Sequence, residues 1–247
     1  MLYNRIYNRK LDIRIRSIPA PQGTCNKWML DTINQPHALI AGTTGAGKSV
    51  LLHDLVRVIL LGHPTAREMV LIDTKRIELR RYMNLPHTRA YANTVESSIE
   101  ALKDAVDTME SRYQRLESGY PESDLSDIYI LIDELGDLVL QSREAIPLLS
   151  RIAMVGRAVH VHLIGCTQNP NRKILSPQIE GNCPVHIGLR CKSPIESRQI
   201  IGTADASTLP MYGKGYFVSP QYIGPQMITV PVCDPTPLVN YWLNAVR

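Results

Sequence analysis

Several features that mark particular classes of protein are missing from this sequence of 247 residues. No apolar stretch approaches the roughly 18 residues that a membrane-spanning helix requires, so no membrane span is predicted. The basic N-terminus lacks the apolar core of a signal peptide. The cysteines are five in number without any C-x-x-C spacing, which argues against a disulfide framework or a zinc site and predicts reduced thiols in the cytoplasm (Cys25, Cys166, Cys183, Cys191 and Cys233).

The seven histidines do not cluster in the way that metal ligands do. His160 and His162 alternate along an apolar segment, so a strand would place both on one face, and a structural role is favoured over metal binding. The net charge of +4 permits a polyanionic partner but does not demonstrate one. Repeats, low-complexity tracts and an obvious linker are also missing, and the length suits one large α/β domain.

The most informative segment is residues 42–49, which read G-T-T-G-A-G-K-S and fit the phosphate-loop pattern G-x-x-x-x-G-K-[ST]. An apolar run precedes the segment and a helical pattern follows it, which is the strand, loop and helix that the motif requires. Glycines let backbone N–H groups wrap a phosphate, and the helix N-terminus adds its positive dipole. Lys48 is predicted to reach the β- and γ-phosphates and Ser49 to bind Mg²⁺. The segment predicted to bind the nucleotide is Thr44, Gly45, Ala46, Gly47, Lys48, Ser49 and Val50.

Short apolar runs alternate with helical patterns, which predicts an α/β fold with a mostly parallel sheet covered by helices on both faces. The runs are 37–41, 69–73, 128–133, 161–166 and 185–189, and the helices lie near 48–61, 94–116 and 145–155. Phosphate chemistry is expected where the parallel strands finish. Towards the C-terminus, residues 215–218 and 226–230 predict a β-hairpin and residues 235–247 a helix. Residues 11–18 alternate apolar and polar side chains, as a half-exposed strand does.

Two acids, Asp133 and Glu134, end the apolar run 128–132. We expect this strand to be adjacent to the strand before the phosphate loop, so that Asp133 holds Mg²⁺ through water and Glu134 polarises the attacking water. Gln168 ends the next apolar run and is a candidate to contact the γ-phosphate or the water. An ordinary polar residue at a strand end is the alternative for Gln168.

Two arginines, Arg151 and Arg157, lie on or just after the helix that follows the acids. Hydrolysis requires positive charge against the transition state, and a neighbouring subunit often supplies it as an arginine. A surface salt bridge is the alternative for both residues.

Five blocks of the sequence together resemble the FtsK/SpoIIIE-type DNA translocases. They are HALIAGTTGAGKS at 37–49, LIDTKRIEL at 71–79, MESRY at 109–113, IDELGDL at 132–138 and HLIGCTQNP at 162–170. Residues 151–158 and 195–198 resemble the same proteins, and the order and spacing agree over roughly residues 36–218. This combination is far more specific than a phosphate loop alone.

The resemblance implies a RecA-like P-loop ATPase of the FtsK/HerA group, with ATP and Mg²⁺ as cofactors. Such proteins work as a ring, usually of six subunits, that pulls double-stranded DNA through its channel. The resemblance assigns Arg157 to the arginine that reaches the next subunit's nucleotide and Gln168 to the sensor. The resemblance implies a hydrolytic site formed by Lys48, Ser49, Asp133 and Glu134. It also matches Asp73, Lys75 and Glu78 to a block of the family, and we expect this block to contact a neighbouring subunit near the nucleotide.

The chain departs from the family at positions that usually line the DNA channel with basic residues. Asn169, Glu180 and Pro194 occupy three of these positions, and only the fourth is basic here. Phosphate contacts require positive charge near the DNA but no fixed geometry, so nearby basic residues can substitute. The DNA contacts are therefore predicted at Arg172, Lys173, Lys192 and Arg198.

Residues 1–35 are interpreted as a basic arm and residues 36–247 as the motor domain. The basic arm is consistent with a nucleic-acid contact or with an edge strand kept soluble by charge. The predicted function is an ATP-dependent double-stranded DNA translocase. A mobile-element, conjugation or packaging role is expected because the membrane region and the sequence-reading module of chromosomal pumps are missing from the sequence. The alternatives are a related protein-secretion ATPase and a non-translocating, NTP-dependent assembly factor.

Overall fold

The computed structural model describes residues 27–245, which form one sheet with helices on both of its faces. The strands are β1 (His37–Ala41), β2 (Arg67–Ile72), β3 (Thr88–Ala92), β4 (Asp127–Ile132), β5 (Val161–Thr167), β6 (Val185–Leu189), β7 (Lys214–Val218) and β8 (Gln226–Thr229). The α-helices are α1 (Lys27–Asn34), α2 (Lys48–Leu60), α3 (Val95–Glu117), α4 (Leu135–Gln141), α5 (Ala145–Val155), α6 (Pro177–Glu180), α7 (Pro194–Ile201) and α8 (Thr236–Ala245). Short 3-10 helices lie at Arg80–Tyr82, Glu122–Asp124, Gly156–Val159 and Asp205–Ser207.

The sheet has the strand order β3-β2-β4-β5-β1-β6-β7-β8. Strands β1 to β6 run parallel, whereas β7 and β8 form an antiparallel hairpin at one edge. The predicted α/β class, with a mostly parallel sheet, a C-terminal hairpin and a terminal helix, is confirmed. We call the end where β1 to β6 finish the carboxyl end of the sheet, and the opposite end the amino end.

Two buried clusters cover the two faces of the sheet. Leu39 and Ala41 of β1 belong to the cluster beneath α3, α4 and α5. Ala38 and Ile40 belong to the other cluster, beneath α1, α2 and α8. Neighbouring residues of β1 pack into opposite clusters because a strand's side chains alternate between faces, so both faces of this central strand are buried.

The expectation that the acid-bearing strand adjoins the strand before the phosphate loop is wrong. Strand β5 pairs with β1 on one side and with β4 on the other. Strands β1 and β4 are therefore separated by roughly 9.5 Å, which is two strand spacings. The order of the strands along the chain does not reveal this arrangement. After β1, the crossover connections place β2 and β4 away from β1 in the sheet, and β5, which comes later in the chain, lies between β1 and β4.

Some elements were not predicted. Strand β3 reads T-R-A-Y-A, and its small and polar residues at the sheet edge give no clear apolar alternation. Helix α1 falls within the segment interpreted as a basic arm, yet Met29 and Ile33 of this helix are buried in the core. The strand predicted at residues 11–18 lies outside the described residues. Within residues 27–245, no helix is long and apolar enough to cross a membrane.

His160 and His162 both contact Asp127 at the amino end of the sheet. Nδ1 of His160 lies 3.2 Å from Oδ1 of Asp127, and Nε2 of His162 lies 3.0 Å from the same oxygen. His162 belongs to β5, whereas His160 precedes the strand with a left-handed φ of 59°. These contacts support the structural role that was favoured for both residues. Within residues 27–245, Cys166, Cys183 and Cys191 carry free thiols and are buried.

Candidate functional site

The loop between β1 and α2 has the backbone shape that phosphate binding requires. Gly45 and Gly47 adopt left-handed φ values of 78° and 104°, which residues with side chains rarely adopt. A Cβ atom at Gly42 would lie 2.9 Å from Cβ of Leu189, so the loop packs against β6 too tightly for a side chain there. Helix α2 begins at Lys48 and directs its free N–H groups towards the loop.

The Lys48 ammonium is folded back onto this loop. Its Nζ donates hydrogen bonds to the carbonyl oxygens of Gly42 at 2.6 Å and Thr43 at 3.0 Å. Burial lowers the pKa of Lys48, and the nearby carboxylates of Glu134 and Asp133 act in the opposite direction. Phosphate oxygens would replace the two carbonyls favourably, because a hydrogen bond between opposite charges is stronger than one to a neutral acceptor.

Asp133 follows β4 at the carboxyl end of the sheet and is 9% exposed. Within residues 27–245, its Oδ2 atom has no hydrogen-bond partner, and burial raises the pKa of this carboxyl to about 6. A buried carboxylate oxygen without a partner is costly unless a ligand satisfies it. Mg²⁺ prefers oxygen ligands, so the Asp133 carboxylate and the Ser49 hydroxyl are a donor set that fits this ion.

Glu134 is held by hydrogen bonds from three directions. Its Oε1 atom accepts from the backbone N–H of Gly136 at 3.3 Å and of Gln168 at 3.1 Å. Its Oε2 atom accepts from Nζ of Lys75 at 3.2 Å. Glu134 is only 7% exposed, so these protein contacts, and not bulk water, define the orientation of its carboxylate. A carboxylate fixed in this way is a candidate for a general base.

Gln168 links the phosphate loop to Glu134. Its side-chain Oε1 accepts a hydrogen bond from Oγ1 of Thr44 at 2.9 Å, while its backbone N–H bonds to Glu134. This bridge exists because Gln168 directly follows β5, the strand that lies between β1 and β4. Gln168 is therefore positioned to respond to occupation of the loop.

The loop after β2 contributes two contacts to the site that the sequence did not reveal. Lys75 contacts Glu134, as described above, and Oε1 of Glu78 accepts a hydrogen bond from the Ser49 hydroxyl at 2.7 Å. The role expected for this block was subunit contact near the nucleotide, and within the chain the block contacts the catalytic candidates directly. The available signal was the D-x-K-x-x-E pattern of residues 73–78.

Residues 211–213 cover the outside of the phosphate loop and were also not anticipated. The backbone N–H of Gly213 donates to the carbonyl of Ala46 at 3.4 Å, and Met211 lies 3.2 Å from the position of a Cβ atom at Gly45. Tyr212 adopts a left-handed φ of 69° and is 77% exposed. The G-K-G sequence at 213–215 was the local signal for an unusual backbone here.

Arg157 lies at the amino end of the sheet, far from the phosphate loop of its own chain. It belongs to the 3-10 helix that precedes β5, and this strand of seven residues separates it from the carboxyl end by roughly 20 Å. The Arg157 side chain is exposed and has no hydrogen-bond or ion-pair partner within residues 27–245. Arg151 differs, because its Nη2 lies 2.7 Å from Oε1 of Glu110 in an exposed ion pair.

The predicted DNA contacts are exposed side chains near the carboxyl end of the sheet. Arg172 and Lys173 lie in the loop after β5, Lys192 lies in the loop after β6, and Arg198 lies on α7. In the part of the chain that the structure describes, none of the four side chains makes a hydrogen bond or ion pair. A cleft of about 420 Å³ separates the two loops, with Arg172 on its wall.

Comparisons with known proteins agree with these observations. Residues 14–120 match the sequence model of the FtsK/SpoIIIE family. The chain is 35% identical over 206 residues to the DNA translocase FtsK of Borreliella burgdorferi, which covers 76% of this chain and 26% of that protein. It is 34% identical over 208 residues to the DNA translocase SftA of Bacillus subtilis, covering 77% of this chain and 22% of that protein. The chain thus spans about a quarter of the length of these relatives.

Solved structures share the fold. The pCW3 conjugation coupling protein TcpA, in a monomer form with ATPγS, superposes with a TM-score of 0.76 at 24% identity, covering 88% of this chain and 66% of that chain. The cytoplasmic domain of the type VII secretion ATPase EccC of Thermomonospora curvata gives a TM-score of 0.71 at 25% identity, covering 84% of this chain and 28% of that chain.

The phosphate loop, the buried acid pair and the polar strand end after β5 lie together at the carboxyl end of the sheet. The chain belongs to the FtsK/SpoIIIE family of P-loop ATPases.

Proposed function

We propose that this chain hydrolyses ATP at the carboxyl end of its sheet and uses the energy to move double-stranded DNA, as one subunit of a homo-oligomeric ring. The observation that carries the proposal is a shared location. The candidate ATP site and the unpaired basic side chains at residues 172, 173, 192 and 198 occur near the same end of one sheet. The names of the relatives with 34–35% identity support DNA as the track.

Hydrolysis uses this chain's residues in distinct roles. Lys48 and the loop N–H groups bind the β- and γ-phosphates. Ser49 and Asp133 would hold Mg²⁺, which would neutralise charge on the phosphates. Glu134 takes a proton from a water molecule as the water oxygen forms its bond to the γ-phosphorus. The bond between that phosphorus and the bridging oxygen breaks, and ADP and phosphate leave. Gln168 reports the presence of the γ-phosphate through its bond to Thr44.

In this scheme the ring supplies an arginine to each ATP site, which a single chain cannot supply to its own site. Arg157 is too far from its own phosphate loop to act there, and it is exposed without a partner. In a ring, the amino end of one subunit can approach the carboxyl end of the next, and Arg157 would then contact the neighbour's γ-phosphate. An arginine supplied in this way stabilises the transition-state charge and couples neighbouring subunits.

DNA-stimulated ATP hydrolysis tests the proposal. Linear duplex DNA should raise the rate several-fold at low salt, and the stimulation should fall as salt rises from about 50 to about 200 mM, since phosphate contacts release counterions. The double variant Arg172→Ala/Lys173→Ala should require more DNA for half-maximal stimulation, with a smaller dependence on salt.

A matched control removes two other basic side chains. The double variant Lys103→Ala/Arg151→Ala breaks two exposed ion pairs, Lys103 with Glu144 at 3.0 Å and Arg151 with Glu110 at 2.7 Å. It loses the same charge as the test variant and should respond to DNA like the wild type. Equal effects of the two double variants would indicate general electrostatic attraction, and no response of the wild type to DNA would contradict the proposal.

A protein-secretion ATPase is the second candidate, and the similarity to EccC at 25% identity favours it. A motor of that kind would be indifferent to duplex DNA and would respond to a polypeptide cargo instead. The same assay, with duplex and polypeptide compared at equal mass, separates the two functions. A non-translocating assembly factor would respond to neither.

Electron microscopy with an ATP analogue and duplex DNA tests the ring and the track together. The expected image is a closed ring, of six subunits by the family resemblance, with duplex through its centre. Isolated particles that ignore duplex would contradict the ring. A setting in conjugation, genome packaging or another mobile-element process stays a prediction, as does the division into an arm at residues 1–35 and a motor at residues 36–247.

A further inference from the structure

We propose that Lys75 is a positioning residue for ATP hydrolysis, which holds the carboxylate of Glu134 in the orientation that activates water. The inference rests on the proposed function, because it requires Glu134 to act as the general base. Within the described residues, the loop at residues 73–79 makes side-chain hydrogen bonds both to Glu134, through Lys75, and to Ser49, through Glu78.

Lys75 is the only charged group that donates to Glu134 in the described part of the chain. Its Nζ lies 3.2 Å from Oε2, whereas the other two donors are backbone N–H groups, of Gly136 and Gln168. The Lys75 side chain is 35% exposed and the Glu134 side chain is 9% exposed, so the contact forms at the rim of a buried carboxylate. The Gly136 N–H donates to Oε1 alone, and the Gln168 N–H is shared between Oε1 at 3.1 Å and Oε2 at 3.2 Å. Lys75 is the one side-chain donor to the carboxylate within residues 27–245, and it holds Oε2.

The loop that carries Lys75 is anchored on both sides of this residue. Asp73 is fully buried, and its carboxylate accepts hydrogen bonds from the backbone N–H of Ile77 at 3.3 Å and of Leu79 at 2.9 Å. Oε1 of Glu78 accepts from Ser49, and its Oε2 lies 3.3 Å from Nε2 of His53. Because the backbone is fixed on each side of Lys75, its ammonium group is held next to the Glu134 carboxylate.

A role in positioning is a better explanation for this contact than a role in stability. The Lys75 ammonium is partly exposed, and Glu134 keeps its two backbone donors when Lys75 is removed, so we expect the ion pair to contribute only modestly to the free energy of unfolding. The orientation of a general base, however, strongly affects rate, and a displacement of about 1 Å can reduce it about 100-fold. Removal of Lys75 should therefore slow hydrolysis while the nucleotide still binds.

The test compares Lys75→Ala, Lys75→Arg and the control Lys103→Ala. The control removes a lysine from a lysine–glutamate pair of similar length, 3.0 Å, that is exposed and remote from the phosphate loop. We expect Lys75→Ala to lower kcat by about 10- to 100-fold. Lys75→Arg should recover part of this loss because it keeps the charge, and Lys103→Ala should match the wild type.

Binding provides the readout that separates positioning from general damage. The Kd of a fluorescent, non-hydrolysable ATP analogue should stay within about twofold of wild type in Lys75→Ala, since the interaction with the base is made mainly in the transition state. A Kd that weakens in step with kcat would overturn the proposal, because Lys75 would then contribute to nucleotide binding or to the fold.

A double variant tests whether Lys75 acts through Glu134. In the Glu134→Gln background, Lys75→Ala should change kcat by less than about twofold, because residues that act as a unit are not additive. A full additional loss would overturn the proposal. If Glu134→Gln is slow but Lys75→Ala behaves like Lys103→Ala, only the role of Lys75 is wrong. If Glu134→Gln hydrolyses ATP normally, the proposed mechanism itself is wrong.

Discussion

Strand β4 has an aspartate at each end, and the two aspartates differ in whether their carboxylates have hydrogen-bond partners. Asp127 at the amino end and Asp133 beyond the carboxyl end are both buried, 6% and 9% exposed. Oδ1 of Asp127 contacts the imidazoles of His160 and His162, whereas Oδ2 of Asp133 has no partner among residues 27–245. A buried carboxylate with hydrogen-bond partners contributes to the fold, while a buried carboxylate oxygen without a partner at the end of the sheet that carries the phosphate loop is a candidate ligand for a cation.

The basic side chains at the two ends show the same contrast. At the amino end, Arg112 donates to the carbonyls of Ser126 at 2.8 Å and Val159 at 2.7 Å, which joins α3 to the strands. At the carboxyl end, the hydrogen bonds that Lys48 donates within residues 27–245 go to carbonyls of its own loop, and a phosphate would replace these contacts. Arg157 is the exception at the amino end, because it is exposed and unpaired in the described part of the chain. This exception is what a role in the neighbouring subunit requires.

Removal of the loop lysine should give the largest effect. We expect Lys48→Ala to abolish detectable ATP binding and turnover, since no other side chain supplies positive charge within the loop. Fluorescent ATP-analogue binding and phosphate release measure the two effects, and thermal unfolding of the nucleotide-free protein should be nearly unchanged. Normal turnover would remove the functional distinction between the two ends of the sheet.

Arg157→Ala should reduce hydrolysis by about 1,000-fold or more, which is the range for an arginine supplied by a neighbour. The variant should still bind ATP, because its own phosphate loop is intact. Mixed rings with Lys48→Ala subunits should regain activity, since each variant supplies what the other lacks at a shared interface. Full activity of a wild-type monomer would show that Arg157 does not act in a neighbouring subunit.

Glu134→Gln should slow hydrolysis by about two to three orders of magnitude while ATP binding is preserved, because the amide keeps the shape but cannot accept a proton. Single-turnover hydrolysis and analogue binding on the same preparation separate the two steps. If binding falls together with hydrolysis, the carboxylate supports the loop instead of the water.

Most of the carboxyl end could be predicted because its signals are local. The phosphate loop, the acids after β4 and the polar residue after β5 each lie within a few residues of a strand end. The contacts of Lys75 with Glu134 and of Glu78 with Ser49 could not, because they join residues 59 and 29 positions apart. The place of β5 between β1 and β4 was missed for the same reason, since strand order is set by packing of the crossover helices and not by local pattern.

Neutralising the two aspartates should change the free energy of unfolding in opposite directions. Asp133→Asn removes a buried charge without a partner and should stabilise the nucleotide-free protein by about 1 to 2 kcal/mol while abolishing hydrolysis. Asp127→Asn removes the acceptor for two imidazoles and should destabilise it by about 1 to 3 kcal/mol. Urea unfolding without nucleotide or Mg²⁺ measures both, and destabilisation by Asp133→Asn would contradict the contrast between the two carboxylates.

The smallest effect expected is a dependence of stability on pH at the amino end. The hydrogen bond to Asp127, together with the nearby Glu122 carboxylate, raises the pKa of His160 above its ordinary value. A raised pKa in the folded state means that protonated His160 stabilises the fold. This contribution is fully present below about pH 6.5, the ordinary histidine pKa, and is lost as pH rises through the raised value.

The variant His160→Asn tests this effect, because asparagine tolerates the left-handed backbone at this position, where φ is 59°. The difference in unfolding free energy between wild type and this variant should be largest at pH 6 and should shrink towards pH 9. The comparison also cancels the opposite contribution of His37, whose pKa burial lowers to about 3. A difference that does not vary with pH would mean that Asp127 is satisfied by neutral imidazoles, and that the amino end is stabilised by hydrogen bonds without a contribution from charge.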